Sequence, residues 1–289
     1  MKSFDPKALT VPKLHGLLLS AVAPRPIALA STVDALGNPN LSPFSFFNVF
    51  SANPPVMIFS PARRVRGNTN KHTLLNAEET KEVVINVVNY DLVHQASLSS
   101  TEYAEDINEF EKAGLTMLKS DLVEPFRVAE SPVQFECKVN KIINLGTEGG
   151  AGNLVICEVL KMHVSYDVLN DDETINQEQL DLVARAGASY YTRAKNGFFE
   201  IPKPLRSLGI GVDAMPDDVK KSMILTGNDL GMLGNVEALP EKTAIDIFVN
   251  DISERYPNIR QMSHRDKHKI AQNYLSFGDV QSAWKMLLS

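Results

Sequence analysis

Apolar and polar positions alternate in short runs through the first two thirds of the chain. Residues 27–32, 40–50, 56–60 and 82–88 are rich in Val, Ile and Phe and are bounded by Pro, Asn and Gly, the pattern of strands that bury one face and end in tight turns. Asp34-Ala35-Leu36-Gly37-Asn38-Pro39 reads as one such turn. Two longer runs, 133–144 and 154–166, flank the Gly-rich stretch 146–153 and predict a long hairpin. Between the strands, 73–81, 91–98 and 105–114 read as short helices, with Thr73 and Asp91 as N-cap types and Gly114 as a stop. Strands outnumber helices, and the helices interrupt the strands instead of alternating with them one for one. The expected fold class is therefore mainly β: an antiparallel β-barrel with helical insertions.

The pattern changes after Pro202 and Pro204. Residues 216–226, 241–250, 263–275 and 280–288 have helical length and few β-branched clusters. Ile245, Phe248 and Val249 share one face at i, i+3 and i+4, and Ala283, Met286 and Leu287 repeat the spacing. Two domains are expected: a barrel over residues 1–200 and a C-terminal helical extension over 201–289.

Composition narrows the function. With 289 residues, 44% hydrophobic and 22% charged, the chain can bury a sizeable core. A formal net charge of -6 argues against nucleic acid or an anionic membrane as partner, since both need a basic face. Apolar runs such as 17–23 and 83–88 fall far short of the ~20 residues that span a bilayer. The first twelve residues carry Lys2, Asp5, Lys7 and two prolines and do not read as a signal peptide, so a cytoplasmic protein is expected. Cys137 and Cys157 sit in apolar strand-like runs and read as buried reduced thiols.

Candidate chemistry concentrates in two stretches. In APRPIALAST (23–32) and NLSPFSFFN (40–48), alternate residues of barrel strands would offer hydroxyls, an amide and aromatic rings to a cavity, a mixture suited to a flat heterocycle. PARRVRGNTNKHT (61–73) then places Arg and Lys side chains just before a helix N-terminus, the best anion site in the chain. A solvated basic loop is the plain alternative.

These two stretches, with NPPVMIFSP (53–61), NKHTLLN (70–76) and LVARAGASYY (182–191), resemble in order the motifs of the flavin reductase-like family of FMN-binding split barrels. Where that family commonly shows Lys-Asp-Thr, this chain reads Lys71-His72-Thr73. The resemblance implies a split β-barrel that holds FMN noncovalently. It implies phosphate contacts from Arg64, Lys71, His72 and Thr73, and ring and ribityl contacts from Ser31, Thr32, Ser42, Ser45, Phe46, Phe47, Asn48 and Ser60. On the substrate side the candidates are His94, on a short helix after its N-cap, and Tyr191 with Tyr190, placed to close the pocket over the flavin. Read without the resemblance, Phe44, Phe46 and Phe47 are core residues, and the Ser, Thr and Asn side chains are strand or turn caps.

The implied activity is that of an oxidoreductase: NADH or NADPH delivers a hydride to FMN, and the electrons pass to a small-molecule acceptor or a partner oxygenase. A flavoredoxin-like electron carrier without its own nucleotide site is the alternative. No catalytic side chain is expected, because the cofactor supplies the reactivity. The resemblance also implies a homodimer with flavin near the subunit boundary.

Three other motifs read as non-functional. The glycine run 146–153 lacks the Gly-Lys-Ser/Thr ending of a phosphate cradle and leads into a strand, so it is a hairpin turn. His264-Arg265-Asp266-Lys267-His268 has zinc-helix spacing, but Arg265 replaces the general-base Glu and Lys267 adds charge, so it reads as a solvated face. Neither cysteine has the context of a nucleophile.

Overall fold

The Val-, Ile- and Phe-rich runs between turn residues become strands, and short helices fill gaps between them. The computed structural model describes residues 1–104, 107–204 and 207–289. They form two compact units, Met1–Phe198 and Phe199–Ser289. The first contains α1 (Val11–Ala21), β1 (Ala28–Val33), β2 (Pro39–Phe44), β3 (Phe47–Ala52), β4 (Pro55–Phe59), α2 (His72–Thr80), β5 (Glu82–Val87), α3 (Val93–Leu98) and α4 (Glu109–Ala113). After these come β6 (Met117–Leu118), β7 (Arg127–Val128), β8 (Val133–Asn144), β9 (Asn153–Val164), α5 (Gln177–Leu180), β10 (Val183–Arg185) and β11 (Tyr191–Arg193). No helix among the described residues is long and apolar enough to cross a membrane.

Seven strands make one antiparallel sheet in the order β2-β1-β5-β8-β9-β4-β3. β2 and β3 are consecutive in the chain yet lie at opposite edges, joined only by Ser45 and Phe46. So short a link reaches roughly 11 Å, so the sheet must curl enough to bring β2 and β3 together at that corner, although the two edges do not pair along their length. Ser60 N–H donates to the Phe46 carbonyl (2.8 Å) beside that link. Inside the curl, Ala28, Ala30, Phe44, Phe59, Leu74, Ile85, Cys137 and Cys157 form one core, while Ile27, Leu29, Leu41, Leu92 and Phe110 pack on the outer face under α3 and α4. β1 is buried on both faces because it lies between these two clusters.

Several expectations change. Helix makes up 31% of the chain and strand 24%, so the class is mixed, not mainly β. The run 40–50 breaks into β2 and β3 because barrel closure needs a corner at Ser45 and Phe46. α1, which the pattern above does not predict, carries no buried residue. Lys71, not Thr73, is the N-cap of α2, and Leu92, not Asp91, that of α3, where Asn89 Oδ1 accepts from Leu92 N–H at 3.2 Å. Of the expected helix 105–114, Glu105 and Asp106 lie outside the described residues; α4 starts after Asn108, whose side chain caps it, and stops at Gly114 in the left-handed region. Both cysteines are buried free thiols, and burial pushes Cys137 up to about 12.

The second unit contains α6 (Asp217–Lys220), α7 (Gly227–Gly234), α8 (Lys242–Asp251), α9 (His264–Ser276) and α10 (Val280–Leu287). Trp284 is fully buried at its centre and donates its indole N–H to the Leu233 carbonyl (2.9 Å). Phe248, Val249, Ala283, Met286 and Leu287 pack in the same cluster, with Ile245 at its margin. The predicted helix 216–226 shrinks to α6. α7 forms despite Gly227, Gly231 and Gly234, because a Thr226–Asp229 capping box and the burial of Leu233 outweigh glycine's low propensity. His268, read above as part of a solvated face, is buried, whereas His264 is exposed.

One buried carboxylate fastens the loop before β7 to the sheet. Glu136 is fully buried in β8; its carboxylate accepts from Asp121 N–H (2.9 Å) and Leu122 N–H (2.6 Å) and meets His163 Nε2 at 2.7 Å. Burial opposes its ionisation, but the two backbone donors and His163 together hold its pKa below the ordinary value. A lowered folded pKa contributes stability above the unfolded value of about 4.3, and that stability is lost as pH falls through the folded value. Glu136→Ala should cost roughly 3 kcal/mol in urea denaturation at neutral pH, and its deficit against wild type should shrink as the pH falls below the ordinary carboxylate range.

Candidate functional site

The loop after β4 is shaped by its own side chains. Arg63, half-buried, is turned into its own loop: its guanidinium donates to Asn68 Oδ1 (2.7 Å) and Asn70 Oδ1 (2.7 Å), which braces the loop. The glycine-rich turn between β8 and β9 supports it from behind. Arg63 N–H donates to Ala151 O (2.8 Å), Gly150 N–H to Arg63 O (3.0 Å), and Asn68 Nδ2 to Thr147 O (2.9 Å). A Cβ at Gly149 would lie 3.0 Å from the Val65 backbone, so that residue must be glycine for the turn to approach so closely.

Braced in this way, the loop presents Arg64 and Lys71 to a cleft at the start of α2. Arg64 donates to the Asn70 carbonyl (2.8 Å) and pairs with Glu102 at 3.2 Å. The Lys71 ammonium lies 5.6 Å from the Phe44 ring centroid. Burial, and secondarily the Arg64 charge, push its pKa below the ordinary lysine value. An anion placed here would relieve both penalties. His72, Thr73 and Ser42 line the same cleft, and Ser99, Ser100 and Thr101 close its far side.

Ser100 also lines a second cavity of about 240 Å³, so the two spaces meet. Ile27, Val88, Val93 and Ala96 give this cavity an apolar wall, and Ser45, Arg185 and Tyr191 lie at its polar side. The Arg185 guanidinium stacks on the Tyr191 ring (4.5 Å), joining β10 to β11 at that wall. Two basic side chains beside a compartment with one apolar wall can hold a ligand with an anionic group at one end and a ring system at the other.

Of the residues named from sequence, Ser42, Ser45, Arg64, Lys71, His72, Thr73 and Tyr191 line these two spaces. The others lie elsewhere. Ser31 and Thr32 are fully buried; Thr32 Oγ1 accepts from Asn40 and Asn76 (3.2 Å each), which places it behind the cleft. Phe47 packs against the barrel core, Phe46 meets His15 edge-on (6.3 Å), and exposed Asn48 bonds the adjacent Val49 N–H. Ser60 Oγ accepts from Asn153 N–H (3.1 Å) and ties β4 to β9. His94 is exposed on α3 and lines neither space. Strand alternation misled here because the corner at Ser45 and Phe46 resets the facing of the side chains. Sequence reasoning passed over Arg185 and the Ser99-Ser100-Thr101 run; a cluster of hydroxyls just past a short helix was the available signal.

Glu109 closes the bottom of the cleft. It is nearly buried, its Oε2 accepts from Leu41 N–H (3.0 Å), and burial raises its pKa above the usual carboxylate value despite that bond. A raised folded pKa contributes stability below the unfolded value that disappears as pH rises through the folded one. Glu109→Gln keeps an acceptor for Leu41 and carries no charge. In urea denaturation it should match wild type under acid conditions and exceed it at neutral pH; equal midpoints at both would refute this reading of Glu109.

Fold and cleft together define a split-barrel, flavin reductase-like class of protein. The family model described as "Flavin reductase like domain" matches residues 20–192, and the chain belongs to that family. It is similar to nitrilotriacetate monooxygenase component B from Bacillus cereus (28% identical, TM-score 0.65, covering 70% of this chain and 98% of that one). A split-barrel protein of Shewanella frigidimarina NCIMB 400 is also similar (27% identical, TM-score 0.60, 71% and 100%). Among curated proteins, an uncharacterized protein of Aquifex aeolicus is 36% identical over 181 residues, 63% of this chain and 90% of its own. The family match ends before the second unit begins. The family implies a flavin and oxidoreductase chemistry.

Proposed function

We propose that this chain binds FMN noncovalently in the cleft and acts as an NAD(P)H-dependent reductase, passing electrons through the flavin to a small-molecule acceptor or a partner oxygenase. The observation that carries this reading is a cleft presenting Arg64 and Lys71 beside a cavity with an apolar wall, Ser100 lining both. The donor set fits the group. Arg64, Lys71 and the first turn of α2 suit a phosphate, and the depressed Lys71 charge is stabilised by one. The apolar wall suits the faces of a flat ring, and Ser45, Ser97 and Ser100 suit its hydrogen-bonding edges. Bound flavin supplies the hydride-accepting chemistry; the residues position it and exclude water from one side.

Anaerobic visible spectroscopy of the purified protein tests the activity. Flavin bands that bleach with NADH or NADPH are expected. Bands that persist with both would make the chain a flavoredoxin-like carrier, and no bands after added FMN would remove the proposal. Lys71→Ala should weaken FMN binding roughly ten- to hundredfold, since one charge-assisted contact is lost. In wild type, affinity should fall as pH rises through the lowered Lys71 value, and the variant should lack that step. Equal dissociation constants in fluorescence titration would exclude Lys71 from the phosphate site.

We also propose a homodimer of the first unit. The edge strand β3 exposes Val49 (58%) and Phe50 (63%), and α1 exposes Val11 and Leu18, with Val22 just after it. An apolar sheet edge and an apolar helix with no buried residue need a partner surface, and a second copy offers the same one by two-fold symmetry. Sedimentation at micromolar concentration should give twice the chain mass; a monomer would overturn the proposal.

A further inference from the structure

The second unit places three metal-ligating side chains together. His264 and His268 lie one turn apart on α9, and Asp218 on α6 reaches them from 46 residues away. His264 Nδ1 is 2.7 Å from Asp218 Oδ2, and His268 Nε2 is 3.6 Å from the same oxygen. One ligand atom from each of the three residues lies within 4.8 Å of the others. A tetrahedral zinc with bonds of 2.0–2.1 Å holds its ligand atoms about 3.3 Å apart, so small side-chain movements would close this triangle around an ion.

A second observation separates this cluster from an ordinary surface pair. His268 is only 5% exposed, and its Nε2 has no hydrogen-bond partner among the described residues. The nearest acceptor, Asp218 Oδ2, lies at 3.6 Å, beyond hydrogen-bond distance, and among the described residues no donor faces the nitrogen. Its Nδ1 meets Ser222 Oγ at 2.8 Å, so the ring is held with Nε2 aimed at the carboxylate. A buried imidazole nitrogen without a partner is costly, and Ser222 Oγ, itself held by the Ile224 N–H (3.1 Å) and Leu225 N–H (3.0 Å), fixes the ring from its other side. The basic neighbours do not block the position. Lys267 is turned to the Ser289 carbonyl oxygen, and Lys220 and Lys221 pair with Asp217 at 3.1 and 2.8 Å.

We propose that Asp218, His264 and His268 form a zinc site that joins α6 to α9, with a fourth position open to water. Two imidazoles and one carboxylate are zinc's ligands in sites that keep such a position. His264 (side chain 74% exposed) and Asp218 (36%) leave that position facing solvent. The site is independent of the cleft in the first unit and does not rest on the flavin reading.

The test is calorimetric titration of the EDTA-stripped, dialysed full-length protein with zinc chloride, with and without bound FMN. One site assigned to this cluster should be seen. His264→Ala changes an exposed side chain and Asp218→Asn keeps the shape; each should weaken zinc binding at least about tenfold while the far-ultraviolet circular dichroism is unchanged. Ser222→Ala, which removes the support of His268, should weaken it about tenfold. His163→Ala, in the other cluster of potential ligands (Asp121, Glu136, His163), should leave zinc affinity unaltered. No binding at millimolar zinc, equal binding by wild type and His264→Ala, or loss of the zinc site only in His163→Ala would each overturn the proposal.

Discussion

The first unit depends on one geometric constraint, the two-residue link between β2 and β3. These strands lie at opposite edges of a seven-stranded sheet, and Ser45 and Phe46 alone connect them. A flat sheet cannot satisfy that link. Closure follows, and with it an enclosed core in which the small Ala28, Ala30, Cys137 and Cys157 pack with Phe44, Phe59, Leu74 and Ile85. The same corner directs Ser45 to the cavity and leaves Phe46 on the surface. The site thus sits where the barrel is forced to close.

Around that corner, charge and burial are arranged in layers. Arg63 is satisfied within its loop, so that Arg64 and Lys71 are left to face the cleft. Asn40 bonds Thr73 on its cleft side and Thr32 behind it, linking β1, β2 and α2 through one amide. Glycine in the β8–β9 turn lets a backbone press against the loop where any side chain would collide. The Lys71 charge is held at a cost in the free protein, which favours a bound anion over solvent. Rigid support on one side and unsatisfied charge on the other is what binding a phosphorylated ligand requires.

The second unit is organised by a different constraint, the burial of Trp284. Its indole N–H needs an acceptor, and the Leu233 carbonyl at the end of α7 provides it. That pairing draws a glycine-rich segment into helical form. Elsewhere in the unit, α6 and α9 meet at Asp218, His264 and His268, where a buried imidazole nitrogen is left without a protein partner.

Strand periodicity, turn residues and the order of the motifs were legible in the chain because each is local. The long hairpin 133–164, the basic loop before α2 and the helical character beyond Pro204 follow from neighbouring residues alone. What tertiary structure decided were matters of facing and of distant partners. Seven of the residues named from sequence line the two connected spaces, but Ser31 and Thr32 look equally suitable by alternation and lie buried behind them. His94 looks reactive and is exposed away from them, while Arg185 and Ser100 join from far along the chain. His268 reads as part of a solvated face until pairing with Ser222 across 46 residues places it in the interior. Sequence carries propensity and period; which of two faces meets a cavity depends on where the sheet closes, and that is a property of the whole fold.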